Sequence, residues 1–328
     1  MPLTGPDGIL QVHPTRRCNL RCLHCYSDSG PSARDELAIG TLHDVVSDAA
    51  ELGYRVLSVS GGEPLMYRLL PDLLEHAHGN GMRTLVTTNG TLTSARRLER
   101  LAAHLDLLAM SLDGPPDEHD LMRAKPGAFN ALCRGLESLR ASGIAFGFLF
   151  TLTQYNVHQL EWAAQFAIEQ GASLLQVHPL EATGRGAALL DSVADDTERS
   201  IAVLEVARLR RAVGDRIHVH LDLAVRGMLS STAECDPCAP LARLVSPLVV
   251  EPDGRCVPLE YGFPDAFALG NVLDHRLIDL AAAWRADVLP QFNQICRDAA
   301  ARLAGPDAPA ASNWYTAVTA AAVEAAAM

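Results

Sequence analysis

Three cysteines, Cys18, Cys22 and Cys25, stand at C-x3-C-x2-C spacing in RRCNLRCLHCYSDSG. Thiolates are the usual ligands of iron–sulfur clusters, and three of them on a four-iron cube leave one iron open to a substrate or cofactor. Zinc also takes thiolates, but structural zinc generally holds four ligands. His24 is the nearest fourth donor, and it adjoins Cys25, a poor position from which to share one metal with it. A second set is looser: Cys235 and Cys238 form C-x2-C, Cys256 follows 18 residues later, and Cys296 lies further on. The remaining cysteine of interest, Cys133, falls in a helical pattern and reads as a core thiol.

The elements that must position these residues are legible as an alternation. Residues 9–13 (ILQVH) read as a short buried strand that runs directly into the cysteine loop. Helical patterns follow at 42–53, 69–81, 94–105, 129–143 and 156–171, the first ending at Gly53 as a C-cap. Strand patterns lie between them at 55–62, 82–90, 106–114, 144–153 and 173–180. Six β–α steps imply a parallel α/β sheet, either an open barrel or a doubly wound sheet. A helix over 195–214 covers the sixth strand, and 217–225 reads as one more strand. A hairpin is expected around Pro252-Asp253-Gly254. The Ala-rich tail is either a docked helix or a frayed end.

Taken together, CNLRCLHC and the segment Gly61-Gly62-Glu63-Pro64 at the end of the second strand resemble the radical S-adenosylmethionine (SAM) superfamily over roughly residues 9–215. The resemblance implies a partial (β/α)6 barrel over residues 1–216. It implies a [4Fe–4S] cluster on Cys18, Cys22 and Cys25 and SAM chelating the open iron. Reductive cleavage of SAM would then yield a 5′-deoxyadenosyl radical that abstracts hydrogen from a substrate. The expected SAM pocket comprises Gly61, Gly62, Glu63 and Pro64, Thr88 and Asn89, Ser111 and Asp113, Arg123, and the backbone at Val177 and His178. Glycines admit close backbone approach, Ser111 and Asp113 suit a ribose, and Arg123 suits a carboxylate. Arg123 lies in HDLMRAKPGAFN, which is similar to the HD-x-x-R-x-x-x-G-x-F pattern of peptide-modifying members. HPLEATGRG resembles an adenine contact, and His13 is a further histidine at a strand end.

The C-terminal cysteines resemble an abbreviated SPASM or Twitch auxiliary domain over 217–328, a hairpin followed by helices. That resemblance implies a second iron–sulfur cluster on three or four of Cys235, Cys238, Cys256 and Cys296. The family's hairpin cysteine corresponds to Leu259 here, so the alternative is a domain that kept its fold and lost its metal.

Function follows from these readings as an expectation: hydrogen abstraction from a ribosomal peptide, with a flavodoxin- or ferredoxin-type reductant. No leader-binding domain is visible before the barrel, so a separate partner would supply one, or the barrel would read the leader itself. A small-molecule oxidase or cyclase is the alternative, and a non-catalytic electron carrier would need no Gly-Gly-Glu-Pro segment. The 328 residues carry a net charge of −12, which disfavours nucleic acid as a partner. No run of 18 apolar residues or signal peptide is visible, which points to the cytoplasm and to cysteines that serve as metal ligands or free thiols rather than disulfides.

Overall fold

The structure, a computed structural model, describes residues 7–226 and 238–327. Seven parallel strands run in sequence order across one sheet: β1 Gly8–Val12, β2 Tyr54–Val59, β3 Arg83–Thr88, β4 Leu107–Leu112, β5 Phe146–Leu152, β6 Leu174–Pro179 and β7 His218–Leu221. Strands such as β5 (FGFLFTL) are apolar runs because a parallel sheet is covered on both faces. The covering helices are α1 Ile39–Glu51, α2 Leu70–Gly79, α3 Ala95–Leu101, α4 Pro116–Met122, α5 Ala128–Ser142, α6 Leu160–Gln170 and α7 Asp196–Val213. In α1, Leu42, Val45, Val46 and Ala49 recur at helical spacing and are all buried. Gly53 follows α1 with φ +98°, a backbone angle that favours glycine.

The expected six-strand sheet is therefore longer. Residues 218–221, expected to open the C-terminal domain, instead pair in parallel with β6. After the short strand β8 Ala224–Val225 and helix α8 Leu241–Leu244, the hairpin forms as expected, from β9 Leu248–Val250 and β10 Arg255–Pro258 with Gly254 at φ +86°. Its strand β9 pairs in parallel with β1, and β11 Gly270–Asn271 extends the same sheet beyond β10. The sheet thus crosses the boundary expected between 216 and 217. It is ten strands wide and open, ending at β11 and β7.

Helices α9 Leu277–Asp287, α10 Leu289–Ala304 and α11 Trp314–Ala326 follow the hairpin, and β12 Ala311–Ser312 pairs with β8. The Ala-rich tail is a docked helix. Asn313 caps α11 at the amides of Tyr315 and Thr316, and Val318, Ala321 and Ala322 are buried. Among the described residues no helix is long and apolar enough to cross a membrane.

Candidate active site

The cysteine loop leaves the C-terminal end of β1, where barrel sites are built. Cys18 and Cys22 are buried, Cys25 is half-buried, and all three line one cavity of about 330 Å³. Hydrogen-bonding groups face each sulfur. The Leu20 amide and Asn89 Nδ2 approach Cys18 Sγ at 3.5 and 3.8 Å, and Arg123 Nη1 approaches Cys22 Sγ at 3.7 Å. The Ser27 hydroxyl lies 3.5 Å from Cys25 Sγ. Burial pushes the Cys18 thiol up to about 12 and raises Cys22 as well, so thiolates here require a metal beside them. Among the described residues no three His, Cys, Asp or Glu side chains are gathered tightly enough for a single ion. A cube with one thiolate on each of three irons does not require such a cluster. The donor set therefore fits an iron–sulfur cluster.

Gly61 and Gly62 line the cavity, and their main constraint is the cysteine loop itself. The Gly62 amide donates to Thr15 O at 2.8 Å and the Glu63 amide to Arg17 O at 3.0 Å. A Cβ on Gly62 would stand 2.3 Å from Arg17 O, and Gly61 has φ +109°. Glu63 is not offered to a ligand. It is fully buried, and its carboxylate accepts from Leu65 N, Thr88 Oγ1 and Asn89 N at 3.0, 2.7 and 2.9 Å. Burial raises its pKa, and those donors offset only part of that rise. Glu63 thus ties the glycine turn to the end of β3, and Thr88 is held by the same bond. Pro64 begins a buried turn behind it.

At the end of β4, Ser111 faces the cavity and Asp113 does not. Asp113 is buried against Arg123, with Nε 2.6 Å from Oδ2 and Nη2 3.0 Å from Oδ1. His24 and His119 stand 3.4 and 3.6 Å from the same carboxylate. Burial opposes the Asp113 charge, but Arg123 and the two imidazoles outweigh it and hold the carboxyl well below its usual range. Asp113 is therefore a counter-ion rather than the expected ribose ligand. Arg123 lines the cavity between Asp113 and Cys22. The rest of the HD-x-x-R segment has local work: Asp120 accepts from the amides of Gly127 and Phe129 and closes the turn into α5.

Val177 is buried and its carbonyl accepts from the Asp222 amide at 3.0 Å, so it is not the expected open backbone contact. His178 does line the cavity, with both ring nitrogens engaged: Nδ1 lies 2.8 Å from Asp222 and Nε2 2.9 Å from Glu181. Burial opposes its charge, yet the two carboxylates raise it well above the ordinary histidine value. Asp222 also accepts from Gln176 at 2.7 Å and meets His220 at 2.9 Å. Glu260 and Tyr315 complete this wall. The alternation His218, His220, Asp222 marks one strand face and was available in the sequence; Glu260 and Tyr315 come from distant elements and carried no local signal.

Two further residues hold the loop. Arg185, in the TGRG segment, donates to Cys22 O at 2.9 Å and Ser29 O at 2.8 Å and pairs with Asp28 at 2.6 Å. Gly184 packs where a Cβ would meet Tyr26 O at 2.3 Å. His13 is buried, stacks on Tyr261 and meets Tyr26 edge-on, and burial lowers its pKa to about 3. It is a neutral packing residue between the hairpin and the cysteine loop.

Of the second cysteine set, Cys235 lies outside the described residues. Cys238 is exposed, Cys256 is fully buried in β10 opposite Val250 and Gly270, and Cys296 packs from α10 on the main core. Leu259, at the family's cysteine position, has φ +67° and lines the main cavity.

Comparisons with known proteins agree with this geometry. Fe-coproporphyrin III synthase of Methanosarcina barkeri (strain Fusaro / DSM 804) is 34% identical over 179 residues, covering 54% of this chain and 45% of the relative. Mycofactocin maturase MftC of Mycobacterium ulcerans (strain Agy99) is 29% identical over 287 residues, covering 86% and 74%. The crystal structure of Streptococcus suis SuiB bound to precursor peptide SuiA superimposes with a TM-score of 0.70 at 16% identity, covering 86% of this chain and 65% of that one. This chain thus spans about half the length of the first of these relatives. Residues 12–167, which include the cysteine loop, the glycine turn and Arg123, match the family described as the radical SAM superfamily. Over residues 12–167 the chain is of the radical SAM superfamily, whose cofactors are a [4Fe–4S] cluster and SAM.

Proposed function

We propose that this protein is a radical SAM enzyme that abstracts hydrogen from a ribosomally made peptide. The observation that carries the reading is one cavity whose wall combines Cys18, Cys22 and Cys25 with a polar group of side chains, His178, Glu181, Asp222 and Glu260 among them. When bound, the cluster and SAM would supply a carbon-centred radical able to break a C–H bond. The chain's own residues would do the positioning. Cys18, Cys22 and Cys25 would ligate the cluster. Arg123, fixed by Asp113, would place positive charge beside Cys22 and the SAM carboxylate. Ser111 would meet the ribose. The carbonyls of the glycine turn would accept from the SAM ammonium. Apolar residues Leu85, Leu149 and Leu259 on the cavity wall would exclude water from the radical.

The peptide class is supported by the likeness to MftC over most of both chains and by the shared fold with peptide-bound SuiB. A reductant of flavodoxin or ferredoxin type and a leader-binding partner belong to this reading. A small-molecule substrate is the second reading, favoured by the higher identity to Fe-coproporphyrin III synthase. Co-expression with each short open reading frame beside the gene, read by mass spectrometry, separates the two. A mass change in one peptide that disappears in a Cys22→Ala variant supports the peptide reading. Unaltered peptides, in a protein that still cleaves SAM, would overturn it.

A further inference from the structure

One part of the cavity wall is richer in carboxylates than in cations. Glu181, Asp222 and Glu260 all line the cavity there, from three separate segments. His178 is placed between Glu181 and Asp222 and bonds to both, so it neutralises one charge. The two arginines on the cavity wall are committed elsewhere, Arg123 to Asp113 and Arg185 to Asp28. Glu260 Oε2 is buried and makes no close hydrogen bond among the described residues, although the Thr319 hydroxyl stands near enough to favour the ionised carboxyl. A buried carboxyl so weakly bonded is costly to leave ionised, and a donor entering the cavity that Glu260 lines relieves that cost.

We propose that Glu181 and Glu260 form the substrate-recognition end of this cavity and bind a positively charged nitrogen, an ammonium or guanidinium, on the substrate. This rests on the reading above that the cavity is the reaction site. Such a group places N–H donors between two carboxylates, forming charge-assisted hydrogen bonds inside a low-dielectric cleft. The same wall rejects substrates that bring a carboxylate to this position, because that carboxylate would face Glu181 and Asp222 with no uncommitted arginine or lysine among the described lining residues. Burial and the neighbouring Glu181 raise Glu260 to about 7. The groups facing it are Glu181, His178, Tyr315 and the Thr319 hydroxyl. A bound cation favours the ionised form of Glu260, so cation affinity rises as pH climbs through about 7.

The test uses the reconstituted, SAM-loaded full chain under anoxic conditions and four probes. These are N-acetyl-lysine methylamide, its neutral isostere N-acetyl-norleucine methylamide, N-acetyl-glutamate methylamide, and alanine methylamide with a free N-terminal amine. Ligand-detected NMR titration reads the affinities. The expected order is an amine probe about tenfold tighter than norleucine, with glutamate weakest. The lysine and alanine probes separate a side-chain amine from a peptide N-terminus as the source of the charge. The preference should grow between about pH 6 and pH 8 and vanish in Glu181→Gln/Glu260→Gln. Thermal melting identifies a variant that has not folded; Glu260→Gln alone, which keeps the shape and removes the charge, then carries the comparison. Equal affinity for lysine and norleucine probes, a preference for glutamate, or amine binding only when SAM is absent would overturn the assignment. Failure of the wild type to release 5′-deoxyadenosine from SAM would instead refute the radical SAM reading on which it rests.

Discussion

Gly62→Ala tests why the glycine turn is glycine. The added Cβ would lie 2.3 Å from Arg17 O, 2.7 Å from Arg17 C and 2.8 Å from Arg16 C, where ordinary contact begins at 3.4 Å. All three are backbone atoms, so no rotamer change can relieve the clash, and the cysteine loop must retreat by about 1 Å. That retreat weakens the bonds from Gly62 N to Thr15 O and from Glu63 N to Arg17 O, now 2.8 and 3.0 Å. Each is worth about 0.5–1.5 kcal/mol net, and unrelieved overpacking costs about 1–3 kcal/mol. A loss of about 2–4 kcal/mol is expected, with Cys18 moved relative to Cys22 and Cys25. Urea denaturation of the metal-free protein measures the first effect, and iron content after anoxic reconstitution measures the second. Gly79→Ala is the control: nothing lies within 4 Å of its Cβ position at the end of α2. It should change stability by no more than about 1 kcal/mol. A Gly62→Ala protein of unchanged stability and full iron content that no longer binds SAM would refute this account. It would show that the glycine serves the ligand and not the loop.

Asp113→Asn leaves the Arg123 guanidinium buried without its counter-ion, and should cost about 3–5 kcal/mol in denaturant unfolding; a change below about 1 kcal/mol would place the pair in solvent. Asp222 is held below its usual pKa, against burial, by His178, His220 and Gln176. A depressed carboxyl stabilises above its unfolded value and loses that contribution as pH falls. The stability gap between wild type and Asp222→Asn should be full near neutral pH and shrink below about pH 4, as read by urea midpoints across pH. Arg185→Ala removes both carbonyl contacts that tie the cysteine loop, so chelators should strip iron faster, with Lys a poor substitute because it lacks the planar fork.

The alternation of strands and helices was readable because short apolar runs alternate with longer segments of 3.6-residue hydrophobic period. The seventh strand was visible as a pattern but not as a partner of β6, since pairing is a long-range property. The parallel addition of β9 to β1 was hidden for the same reason: more than 230 residues separate Leu10 from Leu248. Cys18, Cys22 and Cys25 announced themselves by spacing. Residue type misled at Glu63 and Asp113, where strand-end carboxylates looked free and proved to be held by Asn89, Thr88 and Arg123. His178 looked like a lone histidine because neither Glu181 nor Asp222 could be placed beside it from sequence.

The most direct test of the central claim is release of 5′-deoxyadenosine from SAM by the dithionite-reduced, reconstituted protein, compared with Cys18→Ala, Cys22→Ala and Cys25→Ala. The account predicts release by the wild type and none by any of the three variants. Turnover that survives the loss of one of these thiols, or a wild type that holds its iron and never cleaves SAM, would contradict it.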